Sequence, residues 1–177
     1  MIAIVVDSTV YMTRDEARAL GATVVPITYT VADMPYNETY TDQNGEFERL
    51  LLTHGKCQTS QTSIATFMST FSELLEQDCD ILCLTLSSRL SGTYSSASIA
   101  AREIGRRRIV VFDSLTTAGG LYLLVKHARM LINAGTALED LSRELMKVRS
   151  RINIVFSVDD MTPLRNSGRL GFVRQSV

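Results

Sequence analysis

The sequence has no apolar run near the roughly 20 residues that cross a bilayer, and Met1–Val6 has neither the basic leader nor the length of a secretory signal. The expectation is a soluble, cytoplasmic protein. Charge of either sign is also missing in excess: 18 Lys and Arg stand against 19 Asp and Glu, a formal net charge of −1. The triplet Arg106-Arg107-Arg108 cannot by itself supply the electrostatic footprint of a phosphate backbone, so nucleic acid is excluded as a partner. There are only three cysteines and two histidines. Cys79 and Cys83 flank an apolar run as small packed thiols, and His54, His127 and Cys57 fall in separate segments without metal-ligand spacing, so neither a disulfide nor a metal is expected. Gly-x-x-x-x-Gly-Lys, Gly-x-Gly-x-x-Gly and Gly-x-Ser-x-Gly are all absent, which argues against phosphate cradles and nucleophile elbows.

What is present is an alternation of short apolar runs and amphipathic stretches over 177 residues that are 45% hydrophobic. Ile2–Val6 reads as a strand buried on both faces. Thr13 with Glu16 forms a capping box that opens a helix, and Gly21 stops it. Ala22–Val31 reads as a second strand interrupted by Pro26, in an edge or bulged position. Residues 32–45 form a polar loop, after which Phe47, Leu50 and Leu51 resume helical spacing. The hydroxyl-rich loop 58–63 leads to a helix carrying Phe67, Phe71, Leu74 and Leu75. Ile81–Leu86 and Ile109–Phe112 are further strands, each followed by a helix. A second capping box is expected at Thr136–Glu139, and a last strand at Ile154–Val158. The implied fold is α/β: a central parallel sheet flanked by helices on both faces, in a domain spanning 1–160. Residues 161–177 begin a truncated connection to a second domain.

In such a sheet, ligands gather beyond the carboxyl ends of the strands. There the sequence places Asp7-Ser8-Thr9, Thr85 to Thr93, Asp113-Ser114 and the loop containing Thr59 and Ser60. Ser91-Gly92-Thr93, two hydroxyls around a residue without a side chain at a helix start, suits an anion. Without a lysine or glycine-rich turn nearby, a carboxylate fits better than a phosphate. The plainer reading is that Ser91 caps the helix, worth about 1 kcal/mol. Asp7, Asp113 and Asp159 read either as caps and strand stops or as acid, base or magnesium ligands. Met130, Met146 and Met161, with Leu121, Leu124, Val125 and Leu131, read as core, though such side chains also line tunnels for flexible apolar ligands.

Asp7-Ser8-Thr9, Val25-Pro26, Thr59-Ser60-Gln61, the string from Leu86 through Ser87-Ser88-Arg89-Leu90-Ser91-Gly92-Thr93 to Tyr94, Asp113-Ser114 and Gly168-Arg169 together resemble the DegV family of bacterial fatty-acid-binding proteins. The resemblance implies a carrier, not an enzyme, that holds a long-chain fatty acid and presents it to a separate fatty-acid kinase, with no cofactor beyond that ligand. It implies that Thr59 and Ser91 hold the carboxylate, that Ser60 and Thr93 are neighbours, that Gly92 admits the backbone, and that the tail lies in an apolar tunnel. Thr62 stands where the family usually has proline, a change expected to loosen that loop. Two rival readings are a small-molecule transferase or hydrolase using Asp7 and the Ser91 loop, and a truncated protein acting only through partner contacts.

Overall fold

The structure is a computed structural model that describes residues 1–43, 46–55 and 57–169. Four parallel strands, β1 (Ile2–Asp7), β2 (Ala22–Val25), β6 (Asp80–Thr85) and β7 (Ile109–Asp113), form one sheet in the order β2-β1-β6-β7. The two inner strands are the most continuously apolar, because both their faces are covered. Ile4, Val6, Leu82 and Leu84 point to a cluster built with helices α1 (Arg14–Leu20), α5 (Ala118–Asn133) and α6 (Leu138–Arg149). Val5, Ile81 and Cys83 point the opposite way, to Phe67 and Phe71 of α3 (Ile64–Glu76) and to Ala97, Ala100 and Ala101 of α4 (Thr93–Ile104). The expected two-sided parallel sheet is therefore present. The Thr13–Glu16 capping box is formed in full, and Gly21 ends α1 in a left-handed conformation at φ 55°.

Ala22–Val31 is two strands, not one. At Pro26, which has no N–H to donate, the chain leaves the edge of the parallel sheet and enters a second sheet. That sheet is antiparallel, with the order β4-β3-β5, made from β3 (Ile27–Val31), β4 (Met34–Glu38) and β5 (Gln58–Ser60). Part of the expected loop 32–45 is thus a hairpin arm, turning at Ala32 and Asp33, both with positive φ. Tyr29 stacks on its cross-strand partner Tyr36 at 5.4 Å, and Phe47, at the start of α2 (Phe47–His54), meets the Tyr29 ring edge-on at 4.9 Å. Residues 44 and 45 of that expected loop lie outside the described residues.

Three expectations fail near the second half of the chain. Helix α6 is capped at Ala137, one residue past Thr136, without a side-chain hydrogen bond, so the second capping box does not form. Residues 154–158 form no strand; Val155 is 96% exposed and Phe156 56%. Their β-branched pattern suits a sheet, but no strand pairs with them among the described residues. Met130 and Met146 are exposed, since the core stripes of their helices run through Leu121, Leu124, Val125 and Ala128, and through Leu138, Leu141 and Leu145. The chain then makes a short helix, α7 (Thr162–Asn166). Within the expected connection 161–177, residues 170–177 lie outside the described residues.

Candidate functional site

Two strand-end aspartates fix the loop that follows β6. Asp7 is fully buried. Its Oδ1 accepts from the Thr9 amide at 3.1 Å and the Thr9 hydroxyl at 2.6 Å, and its Oδ2 accepts from the Leu86 amide at 2.6 Å. Burial pushes the Asp7 carboxyl above its ordinary value, while the bonds from Thr9 and Leu86 pull it back. Asp113 Oδ1 accepts from the amides of Ser88 at 3.0 Å and Leu115 at 3.1 Å. The Ser87 carbonyl then receives the amides of Leu90 and Ser91. These bonds hold Ser91 on a tight turn before α4. Asp159 lies exposed outside any strand, and among the described residues no group of three His, Cys, Asp or Glu could hold a metal.

Ser91 Oγ accepts from the Thr93 amide at 3.3 Å and lies 2.9 Å from Thr93 Oγ1. If the buried Thr93 hydroxyl donates, both acceptor positions of Ser91 are used and its own proton is free for a ligand. Gly92 faces the Gln61 carboxamide so closely that any Cβ would collide with it, and Gln61 Nε2 donates to Ser96 Oγ at 2.9 Å. This clamp joins the 59–62 segment to α4. Thr62 is buried and donates to the Pro26 carbonyl at 2.8 Å, so the expected loosening gives way to a tie between the two sheets. Gly92→Ala should push Gln61 away from Ser96 and cost about 1 kcal/mol, the scale of one hydrogen bond. Urea denaturation measures this, and an unchanged midpoint would show that the clamp contributes nothing.

The hydroxyls meet in a pocket of about 260 Å³ between the antiparallel sheet and the loops that follow β1 and β6. Thr59, Ser60 and Ser91 line it; Gly92 and Thr93 stand behind Ser91. Ile27, Tyr29, Phe47, Leu86 and Leu90 supply apolar wall, and Thr9, Tyr11, Glu38, Gln61 and Arg169 complete the lining. Small-molecule sites span roughly 300–1,000 Å³. The pocket therefore suits a head group and the start of a chain rather than a whole long tail. Asp7, His54 and His127 are not part of the lining. Local pattern does not point to Glu38, whose strand falls in the polar stretch 32–45, or to Tyr11 and Tyr29, which reach the pocket only through the packing of the second sheet against the loop after β1. Gln61 and Arg169 belong to the Thr59-Ser60-Gln61 and Gly168-Arg169 motifs, and the structure adds both to the lining.

A parallel sheet wrapped on both faces, with a polar-ended, apolar-walled pocket beside a small antiparallel sheet, defines an α/β domain with a pocket beyond the carboxyl ends of its strands. The chain belongs to the DegV family: the family model described as "Uncharacterised protein, DegV family" matches residues 1–177. A DegV domain-containing protein from Deinococcus radiodurans is 37% identical over 175 residues, covering 96% of this chain and 60% of the relative. Among solved structures, a DegV family protein from Thermus thermophilus, described for its fatty acid binding, superposes with a TM-score of 0.82 at 33% identity. It covers 96% of this chain and 60% of that one. DegV from Bacillus subtilis, described as a fatty acid binding protein, gives 0.82 at 26% identity, covering 97% and 61%. The chain spans about 60% of the length of these relatives. Among the described residues no helix is long and apolar enough to cross a membrane.

Proposed function

We propose that this domain binds a long-chain fatty acid by its carboxylate, with Thr59 and Ser91 as donors, Ser60 beside them, and Gly92 and Thr93 supporting Ser91. The observation that carries the reading is the meeting of Thr59, Ser60 and Ser91, from two distant segments, in one pocket with an apolar wall. Solved relatives described as fatty acid binding support it. Hydroxyl donors hold a carboxylate with charge-assisted bonds, each worth about 1.5–3 kcal/mol, without a buried lysine. The head group lies near the surface, since Thr59 and Ser60 are exposed. That position suits a carrier whose ligand is handed to a separate fatty-acid kinase. The pocket takes the head group and the start of the chain, and the tail continues past it.

Expression followed by denaturing extraction and mass spectrometry should recover C16 to C18 acid with the protein, and Ser91→Ala should weaken affinity about tenfold, the loss of one charge-assisted bond. Protein that comes out free of lipid and gives no calorimetric response to palmitate or oleate would refute the reading.

A further inference from the structure

Glu38 puts a carboxylate into the pocket proposed to receive one. It comes from the last residue of β4, opposite Ile27 of β3, and lines the pocket with Thr59, Ser60 and Ser91. Its Oε2 accepts from Ser8 Oγ at 3.1 Å, and Tyr11 also bonds to it. The groups facing it are Asp7 of β1, Tyr11 after β1, Tyr29 of β3, Cys57 before β5 and Arg169. Arg169 is the one cation among them, and its Nε and Nη1 donate to the carbonyls of Leu90 and Ser167. Among the described residues no ion pair neutralises Glu38.

Two carboxylates in one small, partly desolvated pocket repel unless a proton sits between them. We infer that Glu38 is a specificity-determining hydrogen-bond donor: it takes one proton from solvent as the anionic ligand enters and shares it with the ligand's carboxylate. This rests on the fatty-acid reading and deepens it. A sulfonate head, too weak a base to share a proton with a glutamate, would be disfavoured by the same residue. Burial, with Asp7 adding to it and Ser8 offsetting it, holds the Glu38 carboxyl above its ordinary value before any ligand arrives. The sign follows from linkage. Affinity is greatest below the Glu38 pKa of the free protein and falls as pH rises through it, by up to tenfold per pH unit for one linked proton.

The test is calorimetry of the 177-residue chain with laurate, which stays soluble, between about pH 6 and pH 9 in phosphate and in Tris. The expected result is a dissociation constant that rises with pH and a binding heat that differs between buffers by close to one proton. Glu38→Gln, which keeps a donor but cannot titrate, should remove both dependences. Laurate bound with pH-independent affinity and buffer-independent heat overturns the inference and leaves the fatty-acid reading standing. No binding by either protein at any pH overturns both. Carbon-13 NMR of the glutamate carboxyls in the wild-type chain gives a check that needs no variant. With laurate bound, the Glu38 carboxyl should stay protonated to a higher pH than in the free chain, and a midpoint that laurate leaves unchanged refutes the inference.

Discussion

Asp7→Ala is expected to cost about 3 kcal/mol of stability, because it strands the buried amide of Leu86 and the part-buried amide of Thr9, and each orphaned buried donor costs about 1–3 kcal/mol. Set against a typical domain stability of about 5–15 kcal/mol, that is a severe loss. Asp7→Asn should recover only part of it. Every neighbour of this carboxylate is a donor, and an amide turns one N–H toward another. Urea denaturation of both variants checks this. If Asp7→Ala were as stable as wild type, Asp7 would not anchor the loop, and its reading as a reacting group in a transferase or hydrolase would regain force. The geometry gives it a positioning role: it fixes Leu86, and through the following turn, Ser91.

The parallel sheet was legible because strands covered on both faces are spelled as continuous apolar runs, Ile-Ala-Ile-Val-Val in β1 and Ile-Leu-Cys-Leu in β6, which need no partner information to be recognised. The second sheet was not legible. Its strands carry polar residues, Pro26 and Pro35 punctuate it, and β5 is Gln58-Thr59-Ser60, three residues that read as a hydroxyl loop. They are strand only because Tyr29 and its neighbours of β3 lie alongside, a long-range fact that local composition does not contain. The opposite error occurred at 154–158, where a strand-like pattern finds no neighbour to pair with.

The site shows the same division. Thr59, Ser60 and Ser91 could be singled out because hydroxyls cluster at strand ends and helix starts, and because the motif strings resemble a known family. Glu38 could not, since its place in the pocket depends on a hairpin whose turn at Ala32 and Asp33 has no glycine or asparagine to announce it. Arg169 belongs to a segment 78 residues after Ser91 and reaches the site through the Leu90 carbonyl, so its part is set by tertiary contact alone.

Removing both proposed donors is expected to have the largest effect on binding. Thr59→Ala and Ser91→Ala each delete a hydroxyl that lines the pocket from a different segment, so each alone should weaken laurate about tenfold. The double variant should weaken it about a hundredfold, near 2.7 kcal/mol, if both hydroxyls hold the same carboxylate independently. Neither substitution opens a cavity in the core. Thr59 is exposed, and among the described residues the Ser91 side chain bonds to its neighbour Thr93. Ser91→Ala strands the buried Thr93 hydroxyl, so its thermal midpoint should fall while that of Thr59→Ala stays in place, and a cooperative thermal transition above the binding temperature in each variant separates lost binding from lost folding. A double variant no weaker than Ser91→Ala would remove Thr59 from the head-group site and leave the carboxylate to the α4 turn alone. A lauryl alcohol comparison sharpens the result: with no charge to satisfy, it should lose far less than laurate when the two hydroxyls go.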